Sequence, residues 1–172
     1  MNIVLVGFMG TGKTSVGRLL AQKAGMKYIS TDEVIEDKER RSINDIFKKN
    51  GEAYFRRVEK EVVKKVSELD RFIIDAGGGA VLDEENVRNL QQNGKIICLE
   101  AGVDAILERT KRYRHRPLLN ADNPRAKVEE LLKTRAPFYA QADVSIDTTA
   151  LTVEQVAERI KGITDVDAAF SG

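Results

Sequence analysis

Eight residues near the N-terminus have the types and spacing of a loop that binds nucleotide phosphates. Residues 7–14 read GFMGTGKT and match the pattern G-x-x-x-x-G-K-[ST]. The apolar residues 3–6 (IVLV) precede this loop, and a segment with helical spacing follows it. In such a strand–loop–helix unit, backbone N–H groups and the positive end of the helix surround an anion. The motif predicts a nucleoside triphosphate site in which Lys13 reaches the β- and γ-phosphates and Thr14 a magnesium ion.

Two carboxylates follow predicted strands at points where a ligand could be reached. Asp32 comes after the second strand, where it could accept a proton from a substrate hydroxyl, hold a metal, or cap the next helix. Asp75 ends the third strand and runs into Gly77, Gly78 and Gly79, which allow a ligand to approach the backbone closely. Asp75 stands where P-loop enzymes often keep a carboxylate that organises a metal; the alternative is an Asp that bonds to its own backbone at the start of the loop. The alternative for the three glycines is an ordinary flexible turn.

Three arginines are candidates for binding an anion. Arg135 continues the apolar stripe of a predicted helix, where a cation is costly unless it meets a structural or a ligand carboxylate. Arg56 lies outside the apolar stripe of a long helix, one turn from Glu59, which could orient it; a solvated helix face is the alternative. Arg116 lies in a basic loop, residues 111–119, that either closes over a transferring phosphoryl group or is solvated.

Short apolar runs alternate with amphipathic segments, and this order predicts the elements that position these groups. Strands are expected near residues 2–6, 27–30, 71–75, 95–99 and 143–147, and helices near 14–24, 32–39, 43–49, 52–69, 83–92, 102–111, 124–136 and 152–161. Pro137 is expected to end or kink one helix, and Thr152 and Gln155 have the spacing of a capping box. Strands separated by helices predict a parallel sheet covered on both faces, with ligands beyond the carboxyl ends of its strands.

The composition restricts the class of protein. A chain of 172 residues is one ordinary domain, 1–172, and its net charge of +1 does not favour a nucleic acid or an anionic membrane as partner. No apolar run approaches the ~20 residues of a membrane span, and no basic leader precedes the first strand. Cys98 is the only cysteine, so no intrachain disulfide can form. We expect a cytoplasmic protein with a tail, residues 165–172, that is frayed.

Seven segments, taken in order, resemble the shikimate kinase family of the nucleoside-monophosphate-kinase-like group. The resemblance spans about residues 2–161. The segments are 7–17 (GFMGTGKTSVG), 31–36 (TDEVIE), 46–47 (IF), 51–59 (GEAYFRRVE), 77–81 (GGGAV), 116–119 (RPLL) and 135–139 (RAPFY). The phosphate loop alone fits many unrelated enzymes, whereas the joint pattern fits this family.

The resemblance implies a monomeric, ATP-dependent kinase that acts on the 3-hydroxyl of shikimate. It implies a three-layer α/β fold with a five-stranded parallel sheet, substrate-binding helices at about 32–60 and a mobile lid at about 110–122. For ATP and Mg²⁺ it implies Gly10, Thr11, Gly12, Lys13, Thr14 and Ser15, with Arg109 against adenine and Arg116 on the phosphates. For shikimate it implies Asp32 as the candidate base, and Arg56, Arg135 and the glycines Gly77, Gly78 and Gly79 around the carboxylate.

Two positions depart from the family pattern. Many members carry a second Asp two residues before Asp32, where this chain has Ser30, and members usually have a small residue where this chain has Asp75. Our hypothesis is that a carboxylate in the outer coordination of magnesium has moved from the end of the second strand, at Ser30, to the end of the third strand, at Asp75. The alternatives to a shikimate kinase are another small-molecule kinase of the same fold, such as a gluconate or nucleoside-monophosphate kinase, and a non-catalytic nucleotide-dependent switch.

Overall fold

The computed structural model describes residues 1–111 and 122–164, and within these ranges strands and helices alternate along the chain. The strands are β1 (Asn2–Val6), β2 (Lys27–Ser30), β3 (Phe72–Asp75), β4 (Gly94–Glu100) and β5 (Val144–Asp147). The α-helices are α1 (Lys13–Ala24), α2 (Thr31–Glu39), α3 (Ile43–Ser67), α4 (Glu84–Gln92), α5 (Val103–Thr110), α6 (Pro124–Tyr139) and α7 (Val153–Thr164). A short 3₁₀ helix, Ala80–Leu82, follows the glycines after β3.

The strands form one parallel sheet in the order β2-β3-β1-β4-β5. β1 is central, and the chain leaves it first towards β2 on one side and later towards β4 on the other. The phosphate loop follows β1 and therefore lies at the point where the strand order reverses, which is where parallel α/β sheets bind ligands. The predicted five-stranded parallel α/β fold is confirmed.

The sheet separates two apolar cores, because successive side chains of each buried strand point to opposite faces. Ile3 and Leu5 of β1 pack with α1 and α7, whereas Val4 and Val6 belong to a larger core with α2 to α6. Helices therefore cover both faces, as predicted. The apolar runs read as strands because both of their faces are buried.

Helix α3 combines the two helices predicted at 43–49 and 52–69. Gly51 interrupts it with non-helical angles (φ 80°, ψ 175°), so the break lies between the two predicted segments. Pro137 is expected to end or kink its helix; it does not end it, since α6 continues to Tyr139. Tyr139 is buried and donates a hydrogen bond to Gly78 O (2.7 Å), a tertiary contact that holds this last part of α6 against the site.

The helix caps settle one alternative left open for Asp32. Ser30 is the N-cap of α2, and its Oγ accepts a hydrogen bond from the Glu33 N–H (3.3 Å). Asp32 lies inside the first turn, so the capping role is taken by a different residue. The capping box is confirmed: the Thr152 N–H donates to Gln155 Oε1 (2.9 Å) and the Gln155 N–H to Thr152 Oγ1 (3.2 Å).

Among the helices of residues 1–111 and 122–164, none combines the length and apolar character needed to cross a bilayer.

Candidate active site

The phosphate loop requires glycine where it passes close to the rest of the protein. Gly7 and Gly10 have positive φ values of 136° and 76°. A Cβ atom on Gly7 would lie 2.2 Å from Leu99 O, and one on Gly10 would lie 2.8 Å from Thr110 Cγ2. The backbone can therefore pack against β4 and α5 only without side chains at these positions, and this packing fixes the shape of the loop.

A cavity of about 790 Å³ opens over this loop. Its lining includes all six predicted phosphate-binding residues: Gly10, Thr11, Gly12, Lys13, Thr14 and Ser15. Lys13 Nζ donates hydrogen bonds to Gly7 O (2.9 Å) and Phe8 O (3.1 Å), so the ammonium lies at the loop itself. The structure brings these residues together around one space large enough for a nucleotide.

Thr14 meets Asp75 at the edge of this cavity. The Thr14 hydroxyl donates to Asp75 Oδ2 (2.7 Å), and the Tyr28 hydroxyl donates to the same oxygen (2.9 Å). Burial and the charge of Asp75 raise the pKa of Tyr28 well above its ordinary value. Asp75 is thus engaged with two side chains rather than with its own backbone, which excludes the loop-start alternative.

The chemistry of these oxygen donors fits magnesium. Mg²⁺ is commonly held by one or two protein oxygens together with substrate phosphates and water, not by a complete protein cage. Thr14 and Asp75 are such donors. In the described part of the chain, no group of three or more His, Cys, Asp or Glu residues could hold a metal by itself.

A second cavity, of about 390 Å³, lies beside the first. Asp32, Arg56 and Arg135 all line it. Asp32 also lines the phosphate-loop cavity, as do Met9, Gly77 and Gly78, so the two spaces meet at these residues. The carboxylate of Asp32 therefore lies between a space for phosphates and a space that contains two guanidinium groups.

Each of the three consecutive glycines contacts a different residue of the second cavity. A Cβ on Gly77 would lie 2.7 Å from Asp32 Oδ1, and one on Gly79 would lie 2.4 Å from the Arg56 guanidinium nitrogens. A Cβ on Gly78 would lie 3.2 Å from Gly7 O and 3.6 Å from an Arg135 guanidinium nitrogen. The glycines form a surface without side chains on which the aspartate and both arginines rest, which is not the role of a flexible turn.

Arg56 is held by neighbouring carboxylates on its own helix. Its guanidinium donates to Glu59 Oε1 (2.8 Å) and more weakly to Glu52 Oε1 (3.4 Å). The side chain of Glu59 is only 2% exposed, so this pair is not part of a solvated helix face. Burial raises the pKa of the Glu59 carboxyl above its ordinary value, the charge of Arg56 opposes that rise, and the charge of Asp32 adds to it.

Arg135 is buried near the site but makes no direct salt bridge among the described residues. It is 9% exposed, and its guanidinium carbon lies 5.6 Å from the centre of the Phe8 ring. Unlike Arg56, it forms no direct salt bridge with any Asp or Glu in residues 1–111 and 122–164, but its charge acts on the buried Glu59 and opposes the rise of that carboxyl's pKa. A structural carboxylate and a ligand carboxylate are therefore both available to this buried cation.

Arg109 lies at the far side of the phosphate-loop cavity. It donates to Gly10 O (3.2 Å), to Thr148 Oγ1 (3.0 Å) and to Thr148 O (2.8 Å). Thr148 is itself buried and donates to Thr11 O (3.0 Å). Arg109 therefore joins the phosphate loop to the segment after β5 and lies at the border of the nucleotide space.

Some predicted site residues are not among the residues that the structure describes, and some residues of the site were not predicted. Arg116 and most of the predicted lid are in residues 112–121, which the structure does not describe, and so is the predicted frayed tail, 165–172. Tyr28, Tyr139 and Thr148 were not predicted to be site residues. Tyr139 could have been suspected because it lies one helical turn after Arg135, but no local signal indicates that Tyr28 reaches Asp75.

Taken together, fold and site define a class of protein. A phosphate loop on the central strand opens into one cavity, and an adjoining cavity that contains two guanidinium groups meets it at a carboxylate. This combination defines the P-loop small-molecule kinases, in which a phosphoryl donor and its acceptor meet at such a junction.

Comparison with known proteins identifies the family. The family model described as shikimate kinase matches residues 9–164. Shikimate kinases of Thermodesulfovibrio yellowstonii and Thermoanaerobacter pseudethanolicus are 49% and 46% identical over 159 residues, which are 92% of this chain and 92% and 93% of theirs. The structure of shikimate kinase from Acinetobacter baumannii in complex with shikimate is 36% identical and has a TM-score of 0.90, over 99% of this chain and 95% of that one. The chain belongs to the shikimate kinase family.

Proposed function

We propose that this protein transfers the γ-phosphoryl group of ATP to the 3-hydroxyl of shikimate, yielding ADP and shikimate 3-phosphate. One observation carries the proposal: Asp32 lines both the phosphate-loop cavity and the cavity that contains Arg56 and Arg135. A relative of this chain, the Acinetobacter baumannii enzyme, has a structure in complex with shikimate. Shikimate carries a carboxylate and several hydroxyls on one ring, which matches a cavity lined by two guanidinium groups and by the carboxylate of Asp32.

On the donor side, the loop backbone and Lys13 bind the phosphates of ATP. Lys13 Nζ now donates to two loop carbonyls, and phosphate oxygens are stronger, charged acceptors for the same ammonium. Thr14 would hold Mg²⁺, with Asp75 in its outer coordination, and the ion, when bound, neutralises charge on the β- and γ-phosphates. Arg109 borders the adenine side of the cavity, and Arg116 supplies a further cation to the phosphates.

On the acceptor side, Arg56 and Arg135 bind the carboxylate of shikimate. A guanidinium can donate two parallel hydrogen bonds to a carboxylate, so it fixes the orientation of the acid better than an ammonium does. Gly77, Gly78 and Gly79 leave room beside these arginines and offer backbone groups to the substrate. The acid is thereby anchored at the end opposite to its reacting hydroxyl.

Asp32 aligns the 3-hydroxyl and accepts its proton during transfer. In phosphoryl transfer, most of the rate enhancement comes from positioning and from stabilisation of charge. A carboxylate at the junction of the two cavities is in the right place to hold an alcohol against the γ-phosphate. We propose Lys13, Asp32 and Arg116 as the catalytic residues in this sense.

A coupled assay of ADP release tests the proposal. Shikimate, gluconate and nucleoside monophosphates are compared as acceptors at saturating ATP and Mg²⁺. We expect rapid ADP release with shikimate alone, because the second cavity contains two guanidinium groups, which suit a carboxylate better than a nucleobase. Preference for gluconate or a nucleotide would reassign the substrate, and no acceptor-dependent turnover would favour a nucleotide-dependent switch.

We also propose that the protein acts as a monomer in the cytoplasm, where ATP is available as phosphoryl donor. Both cavities are lined by residues of a single chain, so no second copy is needed to complete the site. Sedimentation equilibrium at micromolar concentration, with and without ligands, should give the mass of one chain, 19.2 kDa.

A further inference from the structure

A buried carboxylate and a tyrosine lie directly behind Thr14. Asp75 is 5% exposed, and its Oδ2 accepts hydrogen bonds from the hydroxyls of both Thr14 (2.7 Å) and Tyr28 (2.9 Å). Two donors therefore converge on one oxygen of one carboxylate. Tyr28 has no part in the roles proposed above.

This geometry determines what Thr14 can offer to the cavity. A hydroxyl has one proton to donate and two lone pairs to accept or to coordinate. Because Thr14 donates its hydroxyl proton in a hydrogen bond to Asp75, only the lone pairs of Thr14 Oγ1 face the cavity. A cation is coordinated by such lone pairs. An unbonded hydroxyl could instead rotate its proton towards the cation site and oppose binding there.

Tyr28 is in turn fixed by helix α1. A Cβ on Gly17 would lie 2.9 Å from Tyr28 Cε2, so the ring packs directly on the helix backbone. The guanidinium carbon of Arg18 lies 5.4 Å from the centre of the same ring. The Tyr28 hydroxyl donates its proton to Asp75 Oδ2 (2.9 Å) from this fixed ring. Tyr28 thus links α1, the helix that begins with Lys13 and Thr14, to the carboxylate of Asp75, and fixes their relative positions.

The register of the sheet places Ser30 beside this pair. Ser30 of β2 and Asp75 of β3 are Cα partners in the parallel ladder, and Tyr28 lies two residues before Ser30. Partners in a ladder and residues two apart on a strand point to the same face, so Tyr28, Ser30 and Asp75 share the face that α1 covers. A carboxylate at position 30 or at position 75 therefore reaches the same space behind Thr14.

We propose that Tyr28 and Asp75 form a positioning pair for magnesium binding. Asp75 accepts the hydrogen bond of Thr14 and presents negative charge towards the cation. Tyr28 keeps the Asp75 carboxylate in place through its own hydrogen bond. Asp75 thereby does from β3 what a carboxylate at position 30 would do from β2. The inference rests on the proposed function, because it assumes that ATP is bound together with Mg²⁺ at Thr14.

The test measures the affinity of Mn²⁺ for the complex of the protein with ADP, without shikimate, by electron paramagnetic resonance of free Mn²⁺. We expect Asp75→Ser to weaken Mn²⁺ binding about 10-fold, as the loss of a residue that orients a metal ligand does. Tyr28→Phe removes one hydrogen bond to Asp75 and should weaken binding about 5-fold. The double variant Ser30→Asp, Asp75→Ser should restore affinity towards the wild type, and Asp at position 30 can still cap α2.

Tyr54→Phe is the matched control, because the Tyr54 hydroxyl also donates to a carboxylate, Glu39 (2.9 Å), but borders neither cavity. It should leave Mn²⁺ affinity unchanged. ADP affinity without metal should stay constant in all variants, since a merely structural defect would lower it as well. Unchanged Mn²⁺ affinity in Asp75→Ser, or an equal loss in Tyr54→Phe, would overturn the inference. If the wild type itself bound no Mn²⁺ with ADP, the proposed function would fail together with the inference.

Discussion

The guanidinium of Arg56 occupies the space that a side chain on Gly79 would need. A Cβ atom at Gly79 would lie 2.4 Å from both terminal nitrogens of Arg56, far inside van der Waals contact. Glu59 and Glu52 form salt bridges with the same two nitrogens and restrain the guanidinium there. The position of a proposed carboxylate-binding group therefore depends on a glycine that lies 23 residues further along the chain.

Gly79→Ala should displace Arg56 and weaken shikimate binding. We expect KM for shikimate to rise about 10-fold, since hydrogen bonds to charged groups contribute about 1.5–3 kcal/mol. KM for ATP should change little, because Arg56 does not border the phosphate-loop cavity. Steady-state kinetics with each substrate varied in turn check this. Gly162→Ala is the control: it lies in α7, no atom is within 4 Å of its Cβ, and kinetics should be unaltered.

Asp32→Asn should lower kcat about 10²- to 10⁴-fold, because an amide cannot accept the proton of the substrate hydroxyl. The substitution keeps the size of the side chain that rests on Gly77, so the cavity should keep its shape. ATP affinity, measured by titration calorimetry, should remain close to that of the wild type. A variant with normal kcat but poor ATP binding would assign Asp32 to the nucleotide instead.

Arg135→Ala should raise KM for shikimate about 10- to 100-fold with a smaller effect on kcat, because it removes a buried charge-assisted contact. Arg135→Lys should recover only part of this loss, since lysine lacks the paired donors of a guanidinium. The comparison is made by initial rates at saturating ATP. Loss of ATP affinity with normal shikimate affinity would contradict the assigned role.

Glu59 should make stability depend on pH in a specific direction. Because burial raises its folded-state pKa above the unfolded value of about 4.3, the folded protein binds more protons than the unfolded chain between these two values. The contribution of Glu59 to the free energy of unfolding therefore falls as the pH rises through that window. Relative to Glu59→Gln, the wild type should lose stability from pH 4 upwards, as measured by urea unfolding.

Glu61→Gln provides the comparison for this pH experiment. A hydrogen bond from Lys38 lowers the pKa of the exposed Glu61, so its contribution is present above the unfolded value and is lost as the pH falls. The effect should be small because the pair is solvated. Parallel pH profiles for the wild type and Glu59→Gln would show that burial does not perturb Glu59.

Local patterns predicted most of the fold correctly. The predicted strands near 2–6 and 27–30 coincide with β1 and β2. For β1 the reason is that a strand buried along its whole length needs a continuous apolar run. The break in α3 at Gly51 also lies between the two predicted helices. Two local alternatives failed: that Pro137 ends its helix, as opposed to kinking it, and that Asp32 caps α2. In both cases a nearby residue, the buried Tyr139 or the N-cap Ser30, decided the outcome.

The sequence predicted which residues belong to the site, but not which of them contact one another. Asp32, Arg56 and Arg135 were singled out from their positions on strand ends and helix faces, and the structure brings all three around one cavity. Nothing in the local sequence indicates that Gly77 contacts Asp32 while Gly79 contacts Arg56. Such contacts join segments far apart in the chain, so they depend on how α2 and α3 pack against the end of β3.

The amino-acid sequence by itself determined the phosphate loop, since that chemistry resides in the backbone of contiguous residues, and the alternation of strands and helices, since each period is local. The tertiary structure decided which carboxylate lies behind Thr14. Asp75 and Tyr28 meet only because β2 and β3 pair in one register and α1 packs on Tyr28. A shift of that register by one residue would turn the Tyr28 side chain to the opposite face of the sheet.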